Sequence, residues 1–213
     1  MEHYTALSPY LKRRFGCKAY KLSLSAGCTC PNRDGTLGAR GCIFCSGSGE
    51  FAASGSASIP EQLEQAKYIL GKKAQGAKFI AYFQDFTNTY GAVSRLEPLF
   101  LAAMEPDDVV ALSIATRPDC LPEDILRMLS RLRARKPVFV ELGLQTVHQA
   151  SARYIRRGYP LSVFDDAVQK LHALEIEVIA HQILGLPGET AEMMAETTRH
   201  LGSVHVDGVK LHL

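Results

Sequence analysis

The chain has 213 residues, 46% apolar and 22% charged, enough for one well-buried core and too apolar for a disordered or fibrous protein. Its 24 basic and 22 acidic residues leave a net charge of +2, which lacks the electrostatic footprint of a nucleic-acid or membrane-surface protein. No apolar run is long enough to span a bilayer, and the opening MEHYTALSPYLKRRF has no secretory apolar segment, so a cytoplasmic protein is expected.

Six apolar, β-branched runs are predicted as strands: 18–25, 78–84, 109–115, 137–145, 176–184 and 207–213. Between them lie helical stripes. Leu96, Leu99, Phe100 and Ala103 form one, with Ser94 as the expected cap. Ile125, Leu129 and Leu132 follow Pro122, and Phe164, Val168 and Leu171 follow an expected cap at Ser162. From the second run onward the starts are 28 to 39 residues apart, the rhythm of a strand, a helix and two short loops in a parallel sheet. Periodicity alone allows either an open doubly wound sheet or a partial barrel. In both, sites gather beyond the strand carboxyl ends.

The first interval is about twice as long as the others. Its excess is the loop 26–58, with four cysteines and the tract SGSGEFAASGSAS, after which Ser58 and Glu61 read as a capping box. The spacing is Cys30-x11-Cys42-x2-Cys45, with Cys28 two residues earlier and Gly41 easing the turn into Cys42. Clustered thiols in a reducing compartment indicate soft-metal ligation before disulfides. Two metal arrangements fit: a closed zinc site on all four thiols, and an iron-sulfur cluster on three with one iron left open. Cys17 and Cys120 read as small buried hydrophobes.

Polar residues cluster at the strand ends, and with them the sequence becomes specific. GCTCPNRDGTLGARGCIFCSGSGEF, FQDFTNTYG (83–91), SIATRPDCLPED (113–124), ELGLQT (141–146), IRRGY (155–159) and HQILGLPGE (181–189) occur in order along nearly the whole chain. Together they resemble the radical S-adenosylmethionine superfamily, in particular an uncharacterised YhcC-type branch akin to the Elongator catalytic subunit and oxygen-independent coproporphyrinogen oxidase groups. The resemblance implies an α/β fold, a parallel (β/α)6 partial TIM barrel spanning 1–213, whose family members continue beyond the sixth strand. It also implies a 4Fe-4S cluster on Cys30, Cys42 and Cys45, with Cys28 a neighbour rather than a ligand.

The same resemblance implies a reaction and a set of contacts. S-adenosyl-L-methionine would chelate the open iron, and one electron from a flavodoxin- or ferredoxin-type donor would cleave it, giving a 5′-deoxyadenosyl radical that removes hydrogen from a substrate. That substrate is unknown; RNA or protein modification is suggested by analogy within the wider group, although the charge offers nucleic acid no support. Phe44 and the Ile183, Leu184, Gly185 segment would face the adenine, and Gln84, Thr87 and Asn88 the methionine amino group. Ser113 and Arg117 would stand at the third strand end. Arg157 would grip the carboxylate through a bidentate fork, while Arg153 and Arg156 read as solvated helix charges. Glu141 and Gln145 alternate onto one strand face toward the barrel interior, where the ribose hydroxyls or Arg157 would partner the carboxylate. His181 lies on the same side of its strand as Ile183. The family pattern ends in Arg-Gly-His where this chain has Arg157-Gly158-Tyr159, so no role transfers to Tyr159. A competing expectation is a zinc-stabilised βα protein binding a nucleotide-like ligand without radical chemistry.

Overall fold

A computed structural model describes residues 4–45 and 57–213; most of the Gly/Ser-rich tract of the cysteine loop lies outside them. Each predicted run becomes a strand: β1 (Ala19–Leu24), β2 (Lys78–Phe83), β3 (Val109–Thr116), β4 (Val138–Gln145), β5 (Glu177–Ile183) and β6 (Gly208–His212). All neighbours pair in parallel, in the order β1-β2-β3-β4-β5-β6. A doubly wound sheet reverses direction at a switch point. This one never does, so each crossover falls on the same side and the sheet curls into a half-barrel.

Helices α2 (Ile59–Leu70), α3 (Val93–Met104), α4 (Glu123–Arg133), α6 (Leu161–Ala173) and α7 (Ala191–Ser203) supply the crossovers; α1 (Leu7–Phe15) precedes the first strand and the short α5 (Gln149–Tyr154) follows β4. At α2 the Glu61 carboxylate accepts the Ser58 N–H at 2.8 Å, the back-bond of the expected capping box. The other two serine caps are displaced. Helix α3 starts after Ala92 and α6 after Pro160, so Ser94 and Ser162 sit inside the first turn. Pro160 cannot donate a backbone bond and suits a helix entrance, while extended backbone at Ala92 ends the preceding loop without a side-chain cap.

Strand alternation sorts the side chains. Leu22, Leu24, Phe83, Leu112, Ile114, Val140, Leu142, Val178 and Ala180 face outward and form the main core with the helix stripes, including Leu96, Phe100, Ile125, Leu129, Phe164 and Leu171. The inward residues of the lower barrel, Ile80, Ala111 and Phe139, make a second, smaller core that Leu11 of α1 caps from below. Above that apolar floor the interior turns polar. Cys120 is buried as expected, and burial pushes its thiol up to about 12; Cys17 is instead half-exposed, in the turn between α1 and β1.

Candidate functional site

The polar interior begins with one residue from each strand: Lys21, Tyr82, Ser113, Glu141, His181 and Lys210. Five of them converge on the sixth. The Glu141 side chain is fully buried and takes the Lys21 ammonium and the Ser113 hydroxyl (2.6 Å) on one oxygen. Its other oxygen accepts Tyr82 Oη at 3.1 Å and His181 Nε2 at 2.8 Å, with Lys210 Nζ at 3.9 Å. Burial alone would raise the carboxyl pKa, but the His181 hydrogen bond and the Lys21 charge outweigh it and hold the group well below the usual carboxylate range. Burial lowers His181, so it donates from Nε2 as a neutral imidazole and leaves Nδ1 facing His212 Nε2 at 3.3 Å. Of the two partners the sequence offered Glu141, the ribose hydroxyls or Arg157, Arg157 is not among its contacts, because its guanidinium bonds the carbonyls of Leu144, Thr146 and Tyr159.

Over this layer, at the carboxyl ends of the strands, lies a cavity of about 210 Å³. Cys30, Cys42 and Cys45 share its wall with Arg33 and Phe44; Gln84, Phe86, Thr87, Thr116 and Arg117 come from the second and third strand ends; Gly143, Gln145, Arg157, Tyr159 and the Glu141–His181 pair complete it. The three thiols are held by the loop's own bonds. Arg33 and Asp34 donate backbone N–H groups to the Cys30 carbonyl, Cys45 N–H closes onto the Cys42 carbonyl at 3.1 Å, and Asn32 Nδ2 reaches both Cys42 Sγ (3.3 Å) and the Arg156 carbonyl (2.7 Å). Gly41 turns with φ +68°, and a Cβ there would meet the Arg33 guanidinium at 3.0 Å. Gly158, at φ +87°, likewise leaves room for Asn32 Oδ1 and Arg117. Asn32 and Arg33 thus organise the cysteine loop; the sequence alone offered no periodicity or motif weight to single them out.

Cys28 points elsewhere. It is buried in the main core and accepts Arg95 Nη2 at 3.0 Å, so a closed zinc site on four thiols lacks its fourth ligand in this arrangement. Among the described residues no three His, Cys, Asp or Glu side chains converge on a single metal ion. A cluster imposes no such convergence, since each iron takes its own thiolate.

Buried polar atoms without partners show what the cavity lacks. Arg157 is 2% exposed; Nε donates to the Tyr159 carbonyl (3.1 Å) and Nη1 to those of Leu144 (3.0 Å) and Thr146 (2.6 Å), while Nη2 has no partner. The bidentate fork expected from the sequence is therefore reduced to one nitrogen, because the exit of β4 occupies Nη1 and the Tyr159 carbonyl occupies Nε. Gln145 Oε1 is also unpaired. Its residue has φ +69° where the β4–β5 register shifts, a strained non-glycine conformation that turns the strand end at the cavity. Tyr159 donates to the Gly143 carbonyl, and its ring is flanked by the Arg117 and Arg157 guanidinium carbons at 5.0 and 4.9 Å. Arg117 is itself neutralised by a two-point bond to Asp119, at 2.9 and 2.7 Å.

The family model described as the radical SAM superfamily matches residues 32–201. The chain belongs to the radical SAM superfamily. It is 43% identical to the uncharacterized protein YtqA of Bacillus subtilis over its whole length and 37% identical to protein YhcC of Escherichia coli over 95% of it, covering 66% and 65% of those proteins. It thus spans just under two thirds of the curated relatives' length. Among solved structures, Elp3 of Methanocaldococcus infernus superposes with a TM-score of 0.66 at 19% identity, covering 91% of this chain and 45% of that one. Coproporphyrinogen III oxidase of Escherichia coli gives 0.58 at 17%, over 91% and 43%. At such identities these two share the fold.

Of the residues that sequence reasoning assigned to the radical SAM site, Cys30, Cys42, Cys45, Phe44, Gln84, Thr87, Arg117, Glu141, Gln145 and Arg157 meet in the one cavity. Asn88 does not line it; its Nδ2 ties the Phe83 and Ala115 carbonyls together at 3.0 and 2.9 Å. Ser113 lies beneath, on Glu141, and Ile183, the last residue of β5, and Leu184 and Gly185 after it are not in the lining. His181 and Tyr159, which sequence reasoning left without a firm role, are both in the wall.

Proposed function

We propose that this chain is the core of a radical SAM enzyme that holds a 4Fe-4S cluster on Cys30, Cys42 and Cys45 and binds S-adenosyl-L-methionine beside it. The observation that carries the reading is the pairing of three thiols with two orphaned polar atoms, Arg157 Nη2 and Gln145 Oε1, in the wall of one cavity. Thiolates suit iron, and three of them leave one iron of a cubane open. An amino acid head group placed against the cluster offers a carboxylate to Arg157 and hydrogen-bond donors to Gln145. When bound, the cluster and S-adenosylmethionine supply a carbon-centred radical for hydrogen abstraction.

The protein's own residues do the rest. Arg157 and Gln145 orient the cofactor's polar end, Arg33 and Asn32 hold the cysteine loop, and the Glu141 layer closes the cavity from below with groups whose hydrogen bonds are already satisfied. Such a floor offers few loose hydrogen donors to a reactive intermediate. Modification of an RNA or protein substrate is a reading by analogy within the wider group.

Anaerobic reconstitution followed by iron and sulfide analysis, and by electron paramagnetic resonance of the reduced protein with and without S-adenosylmethionine, tests the reading. One cluster per chain with a signal that changes on adding the cofactor is expected; stoichiometric zinc with no signal would sink it. Arg157→Lys keeps the charge and stem but not the planar head, and is expected to weaken S-adenosylmethionine binding by about 1.5 kcal/mol, roughly tenfold, as for one hydrogen bond to a charged group. Equilibrium binding at matched cluster content measures this, and unchanged affinity would remove Arg157 from the site.

A further inference from the structure

Beneath the Glu141 layer lies a second cavity, of about 490 Å³, on the side where the half-barrel stays open between its two edge strands, β1 and β6. It shares no lining residue with the cavity above. Its walls are mostly apolar: Leu7 and Leu11 of α1 line the lower end, and Ile80, Phe139 and Ile179 come from the strands. Lys21 of β1 and Lys210 of β6 border it where it meets the layer. Gly208 faces inward beside them, in register with Ile179. No positive φ requires a glycine there, and a Cβ would meet Ile179 at an ordinary 3.5 Å, so what the missing side chain provides is space.

Charge is uneven at the upper end. Lys21 and Lys210 both lie over the Tyr82 ring, with Nζ 4.3 and 5.2 Å from its centroid, and Glu141 is the carboxylate they share. Lys21 pairs with it directly. Lys210 stands 3.9 Å from it and 3.1 Å from Tyr82 Oη, with its side chain 36% exposed, and burial lowers its pKa despite Glu141, helped by the Lys21 charge. The acids lower on the wall are already engaged: Glu177 by Arg14 and Tyr10, Asp207 by His172 (3.1 Å) and the Val178 N–H (2.8 Å). One ammonium thus lacks a counter-charge of its own, in a cavity whose volume falls within the about 300–1,000 Å³ of small-molecule sites. We infer that this cavity binds a medium-chain aliphatic carboxylate, its tail along Ile80, Phe139 and Ile179 and its head on Lys210. Apolar walls favour the tail by removing it from water, and the head supplies the second negative charge for the two lysines. The inference is independent of the cluster reading and involves no covalent step.

Calorimetric titration of octanoate, well below its micellar concentration, into the reconstituted protein tests the site, with 1-octanol as the uncharged control and melting temperature as a second readout. Saturable binding at about one per chain is expected, roughly tenfold tighter than 1-octanol and with a rise in melting temperature. Lys210→Gln should weaken octanoate about tenfold and leave 1-octanol unchanged, and Lys210→Arg should restore it. Gly208→Leu, which grows into the cavity, should abolish binding of both ligands at unchanged iron content. No saturable binding by wild type would overturn the proposal, as would unchanged octanoate affinity in Gly208→Leu or 1-octanol binding as tightly as octanoate. Concentration-dependent self-association that blocks octanoate and is lost in Leu211→Ser would overturn it in favour of a second copy. Octanoate binding by a protein that reconstitutes no iron would support this site and sink the cluster reading alone.

Discussion

Replacing Cys30, Cys42 or Cys45 with alanine is expected to abolish cluster assembly and reductive cleavage of S-adenosylmethionine, whereas Cys28→Ala should retain both. The four thiols stand close in sequence but differ in surroundings. Three line the cavity wall, on a loop whose amides close on the Cys30 and Cys42 carbonyls. Cys28 is inside the main core, where its sulfur accepts Arg95 Nη2 at 3.0 Å, and it is absent from the cavity wall that the other three share. Its removal is a small core truncation and should cost stability rather than iron. Iron and sulfide per chain, with cleavage products measured in the same samples, decide the matter. Full loss in Cys28→Ala with retention in Cys30→Ala would reverse the assignment.

Truncating Glu141 is expected to be the most destabilising single change in the barrel interior. Glu141→Ala removes the acceptor shared by Lys21, Tyr82, Ser113 and His181 and leaves a partly buried ammonium facing unsatisfied hydroxyls. Breaking a buried charge pair by deleting one partner costs about 3 kcal/mol or more. Urea unfolding monitored by circular dichroism should show that loss at neutral pH; a loss below about 1 kcal/mol would mean that water enters and relieves the layer. The effect has a direction in pH. Because the folded carboxyl titrates well below its ordinary value, its stabilisation is complete above the unfolded pKa of about 4.3 and declines as pH falls further toward the folded one. The stability gap between wild type and Glu141→Gln should therefore narrow below about pH 4.3. A gap that widened there would show that the carboxyl is protonated in the folded protein.

The two experiments address different levels of one architecture. The cysteine loop is mainly a local feature, built from residues close in sequence and tied at a distance to the end of α5 through Asn32 on the Arg156 carbonyl and Ile43 N–H on the Ile155 carbonyl. The Glu141 layer is wholly non-local, with partners 28 to 120 residues away in sequence. Damage to the loop should leave the fold intact, while damage to the layer loosens strands at both edges of the half-barrel.

Strand positions, the shared face of Glu141 and Gln145 and the C-x2-C turn were legible in the sequence because each depends on short-range pattern: alternation in strands, a period of 3.6 in helices, and spacing that lets two thiols leave one turn. The ordered strand-end motifs carried the family as well. Periodicity left an open sheet and a barrel both possible, since the same βα rhythm serves both; the resemblance implied the barrel, and the strand order of the tertiary structure bears it out. Only the tertiary structure decided the partners of the buried charges. Sequence turned Glu141 toward the barrel interior and offered the ribose hydroxyls or Arg157 as its partner; the fold gives Glu141 to Lys21 and His181, and engages Arg157 with the Leu144 and Thr146 carbonyls at the β4 exit and with the Tyr159 carbonyl. Periodicity states which way a side chain points. Which group it meets is set by strands that curl until residues 120 positions apart come within hydrogen-bond reach, and no local pattern records that distance.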